Sequence, residues 1–165
     1  MSDKVRLLLD SMGSIQGDGS ICIVILVEES RRLQLTFVTD DAMRRQLSMR
    51  LYNKDEGRSL SKLLPEVMWE SLRGFSDSGD YEMVVESVGV DGEYHTVLHN
   101  KIFGGKHPIR LSDAVLLQEV TGIPLYIKLS LVRQQMMPYV ASSNTTSLPI
   151  NVMPLAVLER GLADS

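Results

Sequence analysis

The chain has 165 residues, 44% of them hydrophobic and 23% charged, a formal net charge of -4 and a single cysteine. That length suits one domain whose core needs neither disulfides nor a structural metal, and the composition excludes a disordered or fibrous chain. The negative charge disfavours general attraction to nucleic acid, so any phosphate contact must come from a local basic patch.

The first residues carry charge but no apolar core of signal-peptide length, and the longest apolar run, 21 to 27, is too short to span a bilayer, so a cytoplasmic protein is expected. Lys4 to Leu9, Ile21 to Glu28 and Leu33 to Val38 read as three strands of a meander, with Gly13, Gly17, Asp18 and Gly19 supplying the first turn. Cys22 lies inside an apolar run and reads as a buried thiol. Thr39, Asp40 and Asp41 supply capping oxygens to a helix near 40 to 53, in which Met43, Leu47 and Leu51 recur every fourth residue.

A second helix is predicted over 61 to 72, with Leu60, Leu63, Leu64, Val67, Met68 and Leu72 as its inward stripe and Pro65 in or near its first turn. Tyr81 to Val90 and Glu93 to Ile102 flank Asp91-Gly92, the strongest hairpin signal in the chain. Gly104, Gly105 and Pro108 then break the chain. Residues 109 to 127 spell strand, helix and strand. Ser112 is the expected cap, Asp113 suits the positive helix end, and Gly122 the left-handed stop. Gln118 and Glu119 form the one polar sliver of the helix, and Ile123 to Ile127 reads as an interior strand. A last short helix runs from Ser130 to Met137, stopped by Pro138. Beyond a Ser, Asn and Thr rich linker at 141 to 147, an apolar segment over 148 to 162 includes a helix from Pro154 to Arg160. That tail docks on its own domain, on a twin subunit in a homo-oligomer, or on another protein.

Three histidines raise the question of a metal. His95 and His99 share one strand face but lie about 13 Å apart, too far to bind one ion, and no Cys-x-x-Cys or His-Glu-x-x-His occurs. Glu82 and Glu86 are separated by the same spacing. A metal-dependent nuclease needs carboxylates to hold Mg²⁺ or Mn²⁺ against phosphate. Asp40, Asp41 and Asp113 are the candidates, and each also has an ordinary capping explanation. Arg110 precedes the amides of a helix N-terminus, where anions are held. With Ser112 it grips phosphate, or else it pairs with a nearby acid to fix the corner; Lys106 and His107 join either arrangement.

Seven basic residues against four acids between Arg44 and Arg73, and six acids with no base from Asp77 to Glu93, could orient a phosphate ligand or simply line solvated faces. Hydrolase elbow, P-loop and dinucleotide fingerprints are absent, and at 5% aromatic residues there is no base-stacking platform.

Arg110, Ser112, Asp113, Ala114, Gly122 and Pro124 resemble the signature that closes the bifunctional nuclease domain family: arginine, then serine-aspartate-alanine, an apolar helix, glycine, and a proline step into an apolar strand. Cys22 to Glu29, Leu33 to Val38, Ala42 to Leu51 and Tyr94 to Leu98 extend the resemblance over roughly residues 4 to 135. Leu111 stands where the family usually has proline, Leu60 to Leu63 replace a Thr-His-Asp phrase, and Val38 and Thr39 replace an aromatic and a glycine.

The expected fold is a single α+β domain, 1–138, a mixed and largely antiparallel sheet of six or seven strands with helices packed on it, followed by a linker and tail, 139–165. The resemblance implies non-specific nuclease activity on DNA or RNA; beside it, the residues themselves offer Asp113, Ser112 and Asp41 as catalytic candidates and Arg110, Lys106 and His107 as phosphate-binding ones. Mg²⁺ or Mn²⁺ is the ion such chemistry uses. The alternative is a non-catalytic anion-binding or assembly module, or a partner of repair or transcription proteins acting through 148 to 162.

Overall fold

The structure, a computed structural model, describes residues 3–15, 18–56, 64–72, 77–140 and 150–154. The elements run β1 (Lys4–Ile15), β2 (Asp18–Glu28), β3 (Leu33–Asp40), α1 (Asp41–Glu56), α2 (Leu64–Leu72), β4 (Tyr81–Val88), β5 (Tyr94–Asn100), β6 (Lys106–Ile109), α3 (Leu111–Thr121), β7 (Leu125–Lys128), α4 (Leu129–Gln135), β8 (Met137–Pro138) and β9 (Ile150–Pro154). The described strand pairings are antiparallel except that of β4 with β7. The chain is therefore an α+β domain, with nine described strands in place of the expected six or seven. It gathers into two compact units, Met1–Leu7 with Ser61–Gln135 and Leu8–Leu60 with Met136–Ser165.

In the first unit the strand order is β6, β5, β4, β7 and the start of β1. The Asp91-Gly92 hairpin forms as predicted: Gly92 takes a left-handed φ of 82°, its amide donates to Gly89 O, and Asp91 accepts from the Glu93 amide. β7 is interior, parallel to β4 on one side and antiparallel to β1 on the other. Alternation along these strands buries Leu7, Met83, Val85, Leu125 and Ile127, and α3 packs on β5 and β7. The outermost strand is β6, whose Pro108 stands opposite Val97.

Helix α3 opens at Leu111, two residues before the expected start, because Arg110 is the last extended residue (φ -75°, ψ 149°) and is itself the N-cap. Ser112 therefore lies inside the first turn and is buried instead of capping. Gly122 ends the helix in the left-handed conformation, as its position implied. Gln118, read as part of a polar sliver, is also buried. Its amide donates to Leu7 O at 3.1 Å, and its Oε1 accepts from the Leu125 amide at 3.0 Å and from Arg6 Nε at 3.1 Å. Two residues of the stripe predicted for α2 are exposed, Val67 at 45% and Met68 at 57%, while Leu60 and Leu63 lie outside the described residues.

In the second unit the order is β1, β2, β3 and β8, with β9 antiparallel to Ser11–Ile15 of β1. Cys22 to Val27 are all buried, so β2 is covered on both faces, and burial pushes the Cys22 thiol up from its usual range. Asp40 caps α1 by accepting from the Met43 amide at 2.8 Å, and Met43 and Leu47, one turn apart, are buried. Two expectations shift here. α4 ends at Gln135, and Met137–Pro138 pairs with Leu33 and Gln34 as a strand. Pro154, expected to begin a helix, ends strand β9, while 141–149 and 155–165 lie outside the described residues.

Gln118 and Thr96 carry opposite expectations. Gln118→Leu leaves a buried amide and carbonyl unpaired and should lower stability to urea by about 1–3 kcal/mol. Thr96 is buried, and its hydroxyl has no hydrogen-bond partner among the described residues, so Thr96→Val should leave the urea midpoint unchanged or raise it.

Candidate functional site

At the β6 to α3 corner the Arg110 guanidinium grips the Asp113 carboxylate with two parallel bonds, Nε to Oδ2 at 2.8 Å and Nη2 to Oδ1 at 3.1 Å. The side chains are 62% and 38% exposed. Asp113 sits in the first turn, against the positive end of the helix, so its charge is shared between the helix amides and the guanidinium. An incoming anion would have to compete with this carboxylate for Arg110. Ser112, between them in sequence, is only 6% exposed and sealed into the helix packing. A hydroxyl so placed is poorly accessible to a substrate phosphate.

Beside this corner lies a cavity of about 610 Å³. Trp69 and Met68 of α2, Tyr81 of β4, Leu98 and Asn100 of β5, and Leu116, Leu117 and Ile123 from α3 and its exit form much of its wall. Among the described residues, His107 and Asp113 are its titratable lining groups other than Tyr81. Trp69 meets Tyr81 edge to face, with ring centroids 6.0 Å apart, which fixes both aromatic walls.

The residues predicted from sequence are distributed as follows. His107 and Asp113 share this groove, and Arg110 pairs with Asp113. Lys106, next to His107 on β6, points to the opposite sheet face by strand alternation and lies 3.6 Å from Glu86. The structure therefore divides the proposed Arg110, Lys106 and His107 grip. Asp41 belongs to the second unit, where it bridges Arg44 at 2.7 Å and Arg45 at 2.8 Å along its own helix. Its carboxyl is held below the usual value, first by the hydrogen bond from Arg44. Among the described residues, no three or more His, Cys, Asp or Glu side chains are grouped to hold a metal ion.

The other face of the first unit's sheet carries a smaller basin of about 310 Å³, lined by Lys4, Lys106, Lys128, His99, Glu82 and Glu86 among others. Glu82 bridges Lys4 at 2.5 Å and faces His99 Nδ1 at 3.6 Å. Partial burial by itself would raise the Glu82 carboxyl; the Lys4 hydrogen bond and charge, with His99 and Lys101, outweigh it and hold the group below its usual range. Lys4 also lies over the Tyr126 ring, 4.8 Å from its centroid. Across this face Lys4 and Lys106 each meet a carboxylate, Glu82 and Glu86.

Trp69, Tyr81, Leu98 and Asn100 escaped the sequence reading as site residues. A two-residue alternation set along β5 would have placed Leu98 and Asn100 on one face, but nothing local marks Trp69 as turned toward them. In comparisons with known proteins, no protein family and no curated protein matches the sequence. No helix among the described residues is long and apolar enough to cross a membrane.

Two measurements follow from these ion pairs. Arg110→Gln should reduce stability by less than about 1 kcal/mol, since both partners are exposed. A carboxyl lowered in the folded state stabilises above its unfolded value, 4.5 for Glu82, and that contribution is lost as pH falls through the lower folded value. Glu82→Gln should therefore be less stable than the parent at pH 7, with the gap in urea midpoint closing towards pH 3.

Proposed function

We propose that this chain is a non-catalytic binding and assembly module whose working surface is the groove walled by Trp69, Tyr81, Leu98 and α3. The observation that carries this reading is the groove itself. Its volume of about 610 Å³ lies within the range of small-molecule pockets, roughly 300–1,000 Å³, and its wall is mostly apolar with a few convergent polar groups, Asn100, His107 and Asp113. Such a lining suits a flat or branched apolar group with a hydrogen-bonding end directed at His107 and Asp113. The exposed Arg110 to Asp113 clamp supports a structural role for that pair, stiffening the lip of the groove.

Nuclease activity on DNA or RNA, implied by the resemblance to the bifunctional nuclease domain, is the second reading. It is favoured by one observation, that His107 and Asp113 line the same cavity, because an imidazole and a carboxylate can serve as general base and acid in phosphodiester cleavage. Against it stand the burial of Ser112 and the capture of Asp113 by Arg110.

Trp69 is the only tryptophan of the chain, so its fluorescence reports directly on the groove. Titration with anilinonaphthalene sulfonate should quench or shift that emission, and Leu98→Arg should abolish the response. A Trp69 that stays unresponsive even in a variant whose groove is free would overturn the binding reading. Plasmid and single-stranded RNA incubated with Mg²⁺ or Mn²⁺ should stay intact; cleavage lost in both His107→Ala and Asp113→Asn would establish the nuclease reading instead.

A further inference from the structure

Between β5 and β6 the chain makes a tight turn that carries two apolar side chains into solvent, Ile102 at 62% exposure and Phe103 at 87%. The turn is fixed by its own hydrogen bonds. Asn100 Oδ1 accepts from the Ile102 and Phe103 amides at 3.0 and 3.1 Å, Asn100 O accepts from Gly104 at 2.8 Å, and the Asn100 amide donates to Gly105 O at 2.8 Å. The Lys101 amide donates to Asp80 O, tying the turn to the start of β4, and Gly104 supplies the positive φ of 77° that closes it. Single exposed apolar residues are ordinary on protein surfaces. Here two adjacent ones stand at the apex of a turn whose backbone is tied at five points, so the aromatic ring is presented with little conformational entropy left to lose.

The groove opens at the base of the same turn: Asn100, which holds the turn, and His107, just beyond it, both line the cavity. We propose that the groove is filled by the Ile102–Phe103 turn of a second copy of this chain, and that each copy's turn enters the other's groove about a two-fold axis. The cavity of about 610 Å³ has room for both side chains, and its wall of Trp69, Tyr81, Leu98 and Leu117 gives the ring apolar and aromatic surface. Knob and hole lie side by side on one unit, which allows reciprocal exchange to close as a dimer.

Charge agrees with this pairing. The turn's one formal charge is Lys101, and the one formal negative charge among the described residues lining the groove is Asp113. With 38% of its side chain exposed and two oxygens to accept on, Asp113 has capacity for a lysine beside the Arg110 bonds. This inference rests on the groove being a binding surface and names its occupant.

The test is the mass of the full chain in solution, by light scattering and sedimentation equilibrium, for the parent, Phe103→Asp, Leu98→Arg and an equimolar mixture of the two variants. The parent should be a dimer. Each variant should weaken association at least about 30-fold, the scale of an interface hot spot. The mixture should recover partial association, because a heterodimer keeps one intact turn facing one intact groove, an outcome that misfolding of either variant cannot produce. Phe103→Asp should also raise anilinonaphthalene sulfonate uptake at Trp69 by emptying the groove. A monomeric parent, a Phe103→Asp variant of unchanged mass, or a mixture that stays monomeric would each overturn the exchange. If the parent is monomeric while Trp69 still responds to the dye and Leu98→Arg stops the response, the exchange fails and the groove remains a binding site. If Trp69 does not respond in the Phe103→Asp variant either, the binding reading fails with it.

Discussion

One buried side-chain amide holds the first unit's corner in register. Gln118 reaches from α3 to a carbonyl of β1 and an amide of β7 while also taking a bond from Arg6, so helix and two strands are tied together by one buried side chain. Apolar packing alone would let α3 slide along Leu7, Leu125 and Ile127, because contact between alkyl surfaces has no direction. A directional bond at each end of the amide removes that freedom. The position of Asp113 relative to His107, and hence the lip of the groove, follows from it.

The corner shows how a local motif can have two uses. Arginine and aspartate at a helix start read equally as an anion grip or as a brace, and the choice is made by geometry: three residues apart on the first turn, the two side chains meet as parallel forks and satisfy each other. Once they do, the nearby chemistry passes to whatever the brace supports, and here that is an apolar groove beside it. An exposed pair of this kind adds little stability but can set the direction of the chain entering the helix.

Much of the fold was legible because it depends on backbone chemistry that single residues report. Asp91-Gly92 marked a hairpin, Gly122 marked a helix end, and the apolar run around Cys22 marked a strand with a buried thiol. The misreadings have a common physical origin in tertiary context. Ser112 carries a good capping group, but the last extended residue falls two positions earlier, at Arg110, and the hydroxyl is drawn inside. Gln118 is polar by composition and buried by partnership, while Val67 and Met68 are apolar and face outward. The groove could not be read at all, since its walls come from α2, β4, β5 and α3, and only folding brings Trp69 to Tyr81.

Pro108 has a further consequence. The Asn100 amide bonds Gly105 O, and counting alternately from that bonded pair along β6 puts the backbone polar groups of Lys106 and Pro108 on the side away from β5. Proline has no hydrogen there to give, and the lysine beside it brings charge, so the margin of the sheet is a poor template for an added strand from any other chain. Fibrillar growth by sheet extension is thereby discouraged at this border, where four residues would otherwise invite it.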